Sequence, residues 1–181
     1  VISPGLIDAH DHLQYNVLAP WQHDGLYNTR YEWRADGDYW DYRAAYDGIE
    51  STMTCEIMKW AELRELVSGV TAAVGSSDDG GCIDVAVRNL DEDSEFSGIE
   101  DYALYYSAST VTDKYSSGDG DEWRADLDDG TYEAVENHVA EGANGDARSE
   151  IDYMFDVGME GPGQIYVHAS DATTSQLARM A

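Results

Sequence analysis

Two of the chain's five histidines, His10 and His12, are separated by a single residue and follow directly on an apolar run. In an extended segment residues i and i+2 project to the same side, so both imidazoles can be aimed at one point just beyond a strand. Two neutral imidazoles so placed form half of a zinc- or iron-type site. His138 with Glu141 three residues later, and His168 closing a second apolar run, complete the residues with comparable chemistry. Each has a plainer reading as well. An isolated His-x-His can be a solvated or hydrogen-bonded pair, Glu141 is one of 37 acidic residues, and His168 can be a core histidine satisfied by a backbone group. His23 lies in a Trp/Tyr/Asp-rich stretch and reads as a surface residue. Asp8 and Asp11 beside the pair read as local hydrogen-bonding groups, able to orient a ligand histidine from behind.

These side chains need elements to hold them. Residues 1–9 are short and apolar, as a buried strand should be. Residues 13–48 show no clean period and read as a long excursion with one short helix; excursions of that length are usually functional. Within it, residues 19–33 carry Trp21, Tyr27, Asn28, Arg30 and Trp33, side chains able to stack on and hydrogen-bond a flat heterocycle; ordinary loop packing is the alternative. Met53, Ile57, Trp60, Ala61 and Val67 recur at helical spacing over residues 51–69, with Ser51 or Thr52 as N-cap and Gly69 as the stop. Strands are expected at 69–77, weakly at 83–90, at 101–110 and at 163–170, and helices over 146–158 and from 172. Residues 111–130 are too acidic to separate helix from loop, and 132–142 fit either strand or helix. The flank of His138, "YEAVEN", is polar for a buried strand. Strands alternate with helices and are continuous apolar runs, the pattern of a parallel sheet covered by helices.

The order of motifs resembles a known family. "PGLIDAHDHL" (4–13) is similar to the Pro-Gly, strand, His-x-His opening of the barrel in the amidohydrolase superfamily. "SGVTAAVGSS" (68–77) resembles its Gly-Val-Thr strand, "HVAEG" (138–142) the His-x-x-Glu of the cytosine deaminase and chlorohydrolase branch, and "IYVHAS" (165–170) the following strand. The resemblance implies an α/β fold, part of a (β/α)8 TIM-type barrel of parallel strands with outer helices. It implies His10, His12 and His138 as ligands of one divalent ion, zinc or iron, Glu141 as proton shuttle, and His168 as the group that polarises substrate or positions water. Trp21, Asn28 and Arg30 are the candidates for substrate contact. An ion held by three imidazoles lowers the pKa of water from near 16 to about 7. The implied activity is hydrolysis of a C–N or C–Cl bond of a small, cyclic substrate. The resemblance places the preceding β-sandwich before Val1, and the last strands with a further essential Asp beyond Ala181. Residues 1–181 are then an incomplete barrel, expected to be inactive by itself.

Composition sets outer bounds. With 37 acidic against 10 basic residues the net charge is −27, which disfavours nucleic acid and anionic membrane surfaces as partners. The scattered carboxylates and a lysine complement of Lys59 and Lys114 fit a protein solvated in high salt, as in a halophilic source. A 43% apolar fraction with 13 Tyr and 5 Trp argues against disorder. No apolar run spans a bilayer and no secretory signal is visible. Cys55 and Cys82 read as two buried small hydrophobes, with a disulfide as the alternative, and this points weakly to a cytoplasmic setting. Small-molecule substrate and a homo-oligomer are the partners compatible with this picture. Two rivals remain: a non-catalytic acidic domain binding cations or a basic partner, and a binuclear amidohydrolase. The second needs a bridging lysine, which neither Lys59, in a helix, nor Lys114, out of register, supplies well. "SSDDGG" and "SSGDGDE" lack the ligand set of a calcium loop.

Overall fold

The computed structural model describes residues 3–74, 82–83, 85–90, 99–100, 119–132, 134–143 and 145–181, with backbone alone at 99–100, 119–123 and 146. Among these residues the elements run β1 (Leu6–Asp8), a 3-10 turn (Leu13–Val17), α1 (Arg30–Ala35), α2 (Gly37–Val67), β2 (Val70–Ala73), β3 (Arg88–Asn89), β4 (Ile99–Glu100), α3 (Asp119–Asp129), β5 (Ala134–Val139), α4 (Gly145–Asp156), β6 (Gln164–His168) and α5 (Thr174–Met180). The fold is α/β, and each strand pair is parallel. The strands form two three-stranded sheets in the orders β1-β2-β3 and β4-β5-β6, with no closed barrel among the described residues. The chain divides into two compact units, Val1–His23 with Gly37–Ser97, and Asp24–Asp36 with Gly98–Ala181. The strand expected at 101–110, the 76–81 loop and Lys114 lie outside the described residues. No described helix is long and apolar enough to cross a membrane.

In the first unit α2 corrects two expectations. The irregular excursion ends at Asp36, and helix begins at Gly37, well before residue 51. The start signal at Ser51 and Thr52 instead marks a break, where Met53 leaves helical geometry at φ −134°, ψ 22°. The hydroxyls of Thr52 and Thr54 donate back to the Ile49 and Glu50 carbonyls at 3.1 and 2.5 Å, a competition with the helix ladder that bends helices. The buried stripe is Ile57, Met58, Ala61 and Glu62, while Met53, Trp60 and Val67 are exposed. Gly69 ends the helix as expected, at φ +92°, a conformation that suits glycine.

The reading of the cysteines as separate thiols is overturned. Cys55 and Cys82 form a disulfide, with Cα atoms 4.9 Å apart, and Cys82 packs with Leu13, Met58 and Ala61. Glu62 secures the same segment. Its buried carboxylate accepts from the amides of Val85, Ala86 and Val87 and from the Asn89 side chain at 2.6–3.4 Å. A buried carboxylate is costly unless its oxygens are satisfied; this one organises the entry to β3.

The second unit has the clearer core. β5 resolves as strand, and Val135 and Val139 pack with Ala147, Ile151, Met154, Phe155 and Met159. Burying one such side chain stabilises by about 1.5–3 kcal/mol. Strand alternation sends Glu136 and His138 to the opposite face. The polar "YEAVEN" flank is nonetheless buried: Glu136 and Asn137 have no exposed surface, and the Asn137 amide donates to Gln164 Oε1 at 2.8 Å across the ladder. The α5 start is fixed by a capping box between Thr173 and Gln176.

Candidate functional site

The candidate residues gather at strand ends. His10 and His12 lie just past β1 rather than on it, since the strand stops at Asp8 and His12 caps the 3-10 turn. The backbone there is tied to the end of β2: Asp11 N–H donates to the Val74 carbonyl at 2.8 Å, and Val74 N–H to the Asp8 carbonyl at 3.1 Å. The His10 amide donates to Asp8 Oδ1 at 3.1 Å. The two imidazoles meet edge to face, with centroids 4.6 Å apart. Tyr15 flanks His12 at 5.9 Å and rests on buried Tyr46, with the Arg43 guanidinium 4.9 Å over the Tyr15 ring. Behind the pair, Asp11 accepts from the Asn16 amide. Burial pushes the Asp11 carboxyl up, the Asn16 bond opposing it. Glu65 on α2 is pushed up to about 7, first by burial and then by the charges of Asp11 and Asp8.

In the second unit His138 is buried, at the penultimate position of β5, and His168 ends β6. The ladder pairs His138 with Val167 and Val139 with His168, and the two imidazole centroids lie 5.5 Å apart. Glu141 follows β5 directly. Its Oε2 is 2.9 Å from Arg30 Nη1 and 3.5 Å from His168 Nε2. The expected shuttle and the expected polarising histidine therefore adjoin.

The backbone carrying them is unusual. Ala140, His168 and Ala169 all have positive φ, at 53°, 66° and 44°. A non-glycine residue held there costs about 1–3 kcal/mol and persists only where surrounding contacts fix it. Fixing contacts are present. Glu150 on α4, itself buried, accepts the Ala140 N–H at 2.9 Å. Ser170 Oγ donates to the Ala140 carbonyl at 2.9 Å, and Ala169 N–H donates to the Val139 carbonyl at 2.9 Å. Burial pushes the Glu150 carboxyl up; the Ala140 amide opposes this, and the Glu141 charge adds to it. At Gly142 a Cβ would fall 1.9 Å from the Asn28 carbonyl oxygen, so this turn has no room for a side chain.

The expected substrate contacts have other occupations. Arg30 pairs with Glu141 and lies 5.2 Å over the Trp33 ring. Asn28 binds Glu32 through its amide N–H and side chain, at 2.6 and 3.0 Å, fixing the entry to α1. Trp21 belongs to an aromatic group with His23, Tyr39 and Tyr42, and His23 is exposed as expected. Glu150 and Ser170 were not anticipated. Glu150 is one carboxylate among many in a sequence window that reads simply as helix, while Ser170 sits in the quoted "IYVHAS" without a distinguishing signal.

The candidate metal donors are the adjoining imidazoles of His10 and His12 in the first unit and that of His138 in the second. Neutral imidazoles suit zinc or iron, so the donor set fits such an ion in kind. No family model matches the chain, and no curated protein or solved structure matches it either.

Proposed function

We propose a metal-dependent hydrolase of amidohydrolase type, acting on a C–N or C–Cl bond of a small cyclic substrate. His10, His12 and His138 would hold one divalent ion, zinc or iron. The observation that carries the reading is Glu141 lying beside His168 at the C-terminal ends of adjacent parallel strands, the end of a strand where barrel enzymes place their chemistry. Within each unit the parallel strands neighbour one another in chain order, as they do in a singly wound barrel.

When bound, the ion would supply Lewis acidity that makes water a competent nucleophile near neutral pH. The remaining tasks belong to the chain. The Glu141 carboxylate takes a proton from the attacking water and returns it to the leaving nitrogen, or passes it to solvent where chloride leaves as the anion. Arg30 holds Oε2 of that carboxylate in place. His168 Nε2, on the same oxygen, can donate to an atom that gains negative charge. Asp8 and Asp11 steady the segment that bears His10 and His12.

Metal content is the direct test, because it reads the three imidazoles without requiring turnover. Dialysis of the chain against zinc or ferrous iron is expected to leave about one ion per chain, as one mononuclear three-imidazole site holds. His12→Ala and His138→Ala should each remove it, while His23→Ala should retain it. Stoichiometric metal persisting after both losses, or none in the unaltered chain, defeats the reading and favours a non-catalytic acidic domain. Release of ammonia or chloride from a panel of amino- and chloro-substituted N-heterocycles then assigns the bond cleaved.

A further inference from the structure

The turn that carries Glu141 is held through the backbone polar groups on either side of it. Ala140 N–H donates to Glu150 Oε2 at 2.9 Å. The Ala140 carbonyl accepts from Ser170 Oγ at 2.9 Å, from Ser170 N–H at 3.3 Å and from Gly142 N–H at 3.1 Å. Ser170 Oγ also lies 3.2 Å from the Gly142 carbonyl, and Ala143 N–H donates to the Tyr27 carbonyl at 3.1 Å. The residue so gripped is an alanine at φ 53°, which would relax to ordinary geometry if released. Relaxation would rotate the next peptide and carry Glu141 with it.

We propose that Glu150 and Ser170 are positioning residues, which lock Ala140 in its left-handed conformation and thereby set Glu141 Oε2 between Arg30 and His168. Glu150 is an expensive choice for mere packing, because a buried carboxylate loses its hydration and an apolar residue of that size fills the same space. Its carboxylate accepts the N–H of Ala140, the residue that precedes Glu141. The catalytic use of Glu141 rests on the function proposed above, whereas the positioning itself does not.

The experiment compares two pairs of variants by NMR on the full chain, reading hydrogen exchange of the Arg30 guanidinium protons that pair with Glu141. Glu150→Leu and Ser170→Ala each delete a contact to Ala140. Glu150→Gln and Ser170→Thr keep an acceptor or a hydroxyl. Exchange should accelerate about tenfold in each deletion, the scale of one lost hydrogen bond, and return to the original rate in the matching conservative variant. Methyl signals of buried Met154 report that the core is intact. The proposal is overturned if a folded deletion variant keeps slow Arg30 exchange, or if the conservative variants exchange as fast as the deletions. Each pair is read against its own conservative variant, so either pair decides if a member of the other does not fold. Zinc uptake is scored separately through His12 and His138, so failure of the functional reading is seen apart from failure of this one.

Discussion

Asp8, Asp11 and Glu65 form a carboxyl group cluster in which the last to ionise bears the cost. Glu65 is raised to about 7, by burial first and by Asp11 and Asp8 next. Its folded pKa lies above the 4.5 of an ordinary glutamic acid, so the fold favours the protonated form. The associated stability is complete below about 4.5 and is lost as pH rises through about 7. Glu65→Gln should therefore raise the unfolding midpoint at pH 8 and leave it nearly unchanged at pH 4. A variant that gains nothing at pH 8 would show that the side chain is ionised there without penalty. At this scale the sequence was legible where spacing is local. His10 and His12 announce themselves because one intervening residue suffices to bring them together. His138, Glu141 and His168 could be picked out only through motif order. Glu150 and Ser170 were illegible, because their part depends on contacts 10 and 30 residues away along the chain, made by residue types common everywhere.

Elements were readable where periodicity and stop signals agree, as in α4, β6 and the Gly69 stop of α2. The start of α2 was not, since Asp, Tyr and Trp at 38–42 mask helical periodicity, and Ser51 and Thr52 imitate a cap in mid-helix. The weak and polar strands β3 and β5 depend on tertiary partners, Glu62 for one and Gln164 for the other. The disulfide was equally hidden, because a separation of 27 residues resembles no metal-ligand or framework spacing. Closing a loop of that length restricts the unfolded chain by about 3–4 kcal/mol in the chain-entropy account. Urea unfolding with and without reductant should show a loss of that order, and Cys55→Ala with Cys82→Ala should match the reduced protein. Equal midpoints in both conditions would mean that the link adds nothing to stability. Disulfides persist in oxidising settings, so this bond weakens the weak argument for a cytoplasmic location.

For the whole molecule, the net charge of −27 dominates. Self-repulsion on this scale favours expanded states, and added salt shortens the screening length from about 10 Å at 0.1 M to about 3 Å at 1 M. The opposing attractions include exposed pairs such as Arg124 with Asp128 and Arg179 with Glu160, each worth at most about 1 kcal/mol. The unfolding temperature should thus climb steadily between 0.1 and 2 M KCl. A midpoint that falls over this range would mean that ion pairs, not repulsion, set the electrostatic balance. The α/β class with parallel pairing was visible in the alternation of elements, whereas closure of a ring was not something that local patterns could decide. The strand orders β1-β2-β3 and β4-β5-β6 have one further consequence. Among the described strands, none has to be inserted between two that are already paired. A chain emerging from the ribosome can lay down each ladder outward, edge by edge, without undoing a bond made earlier.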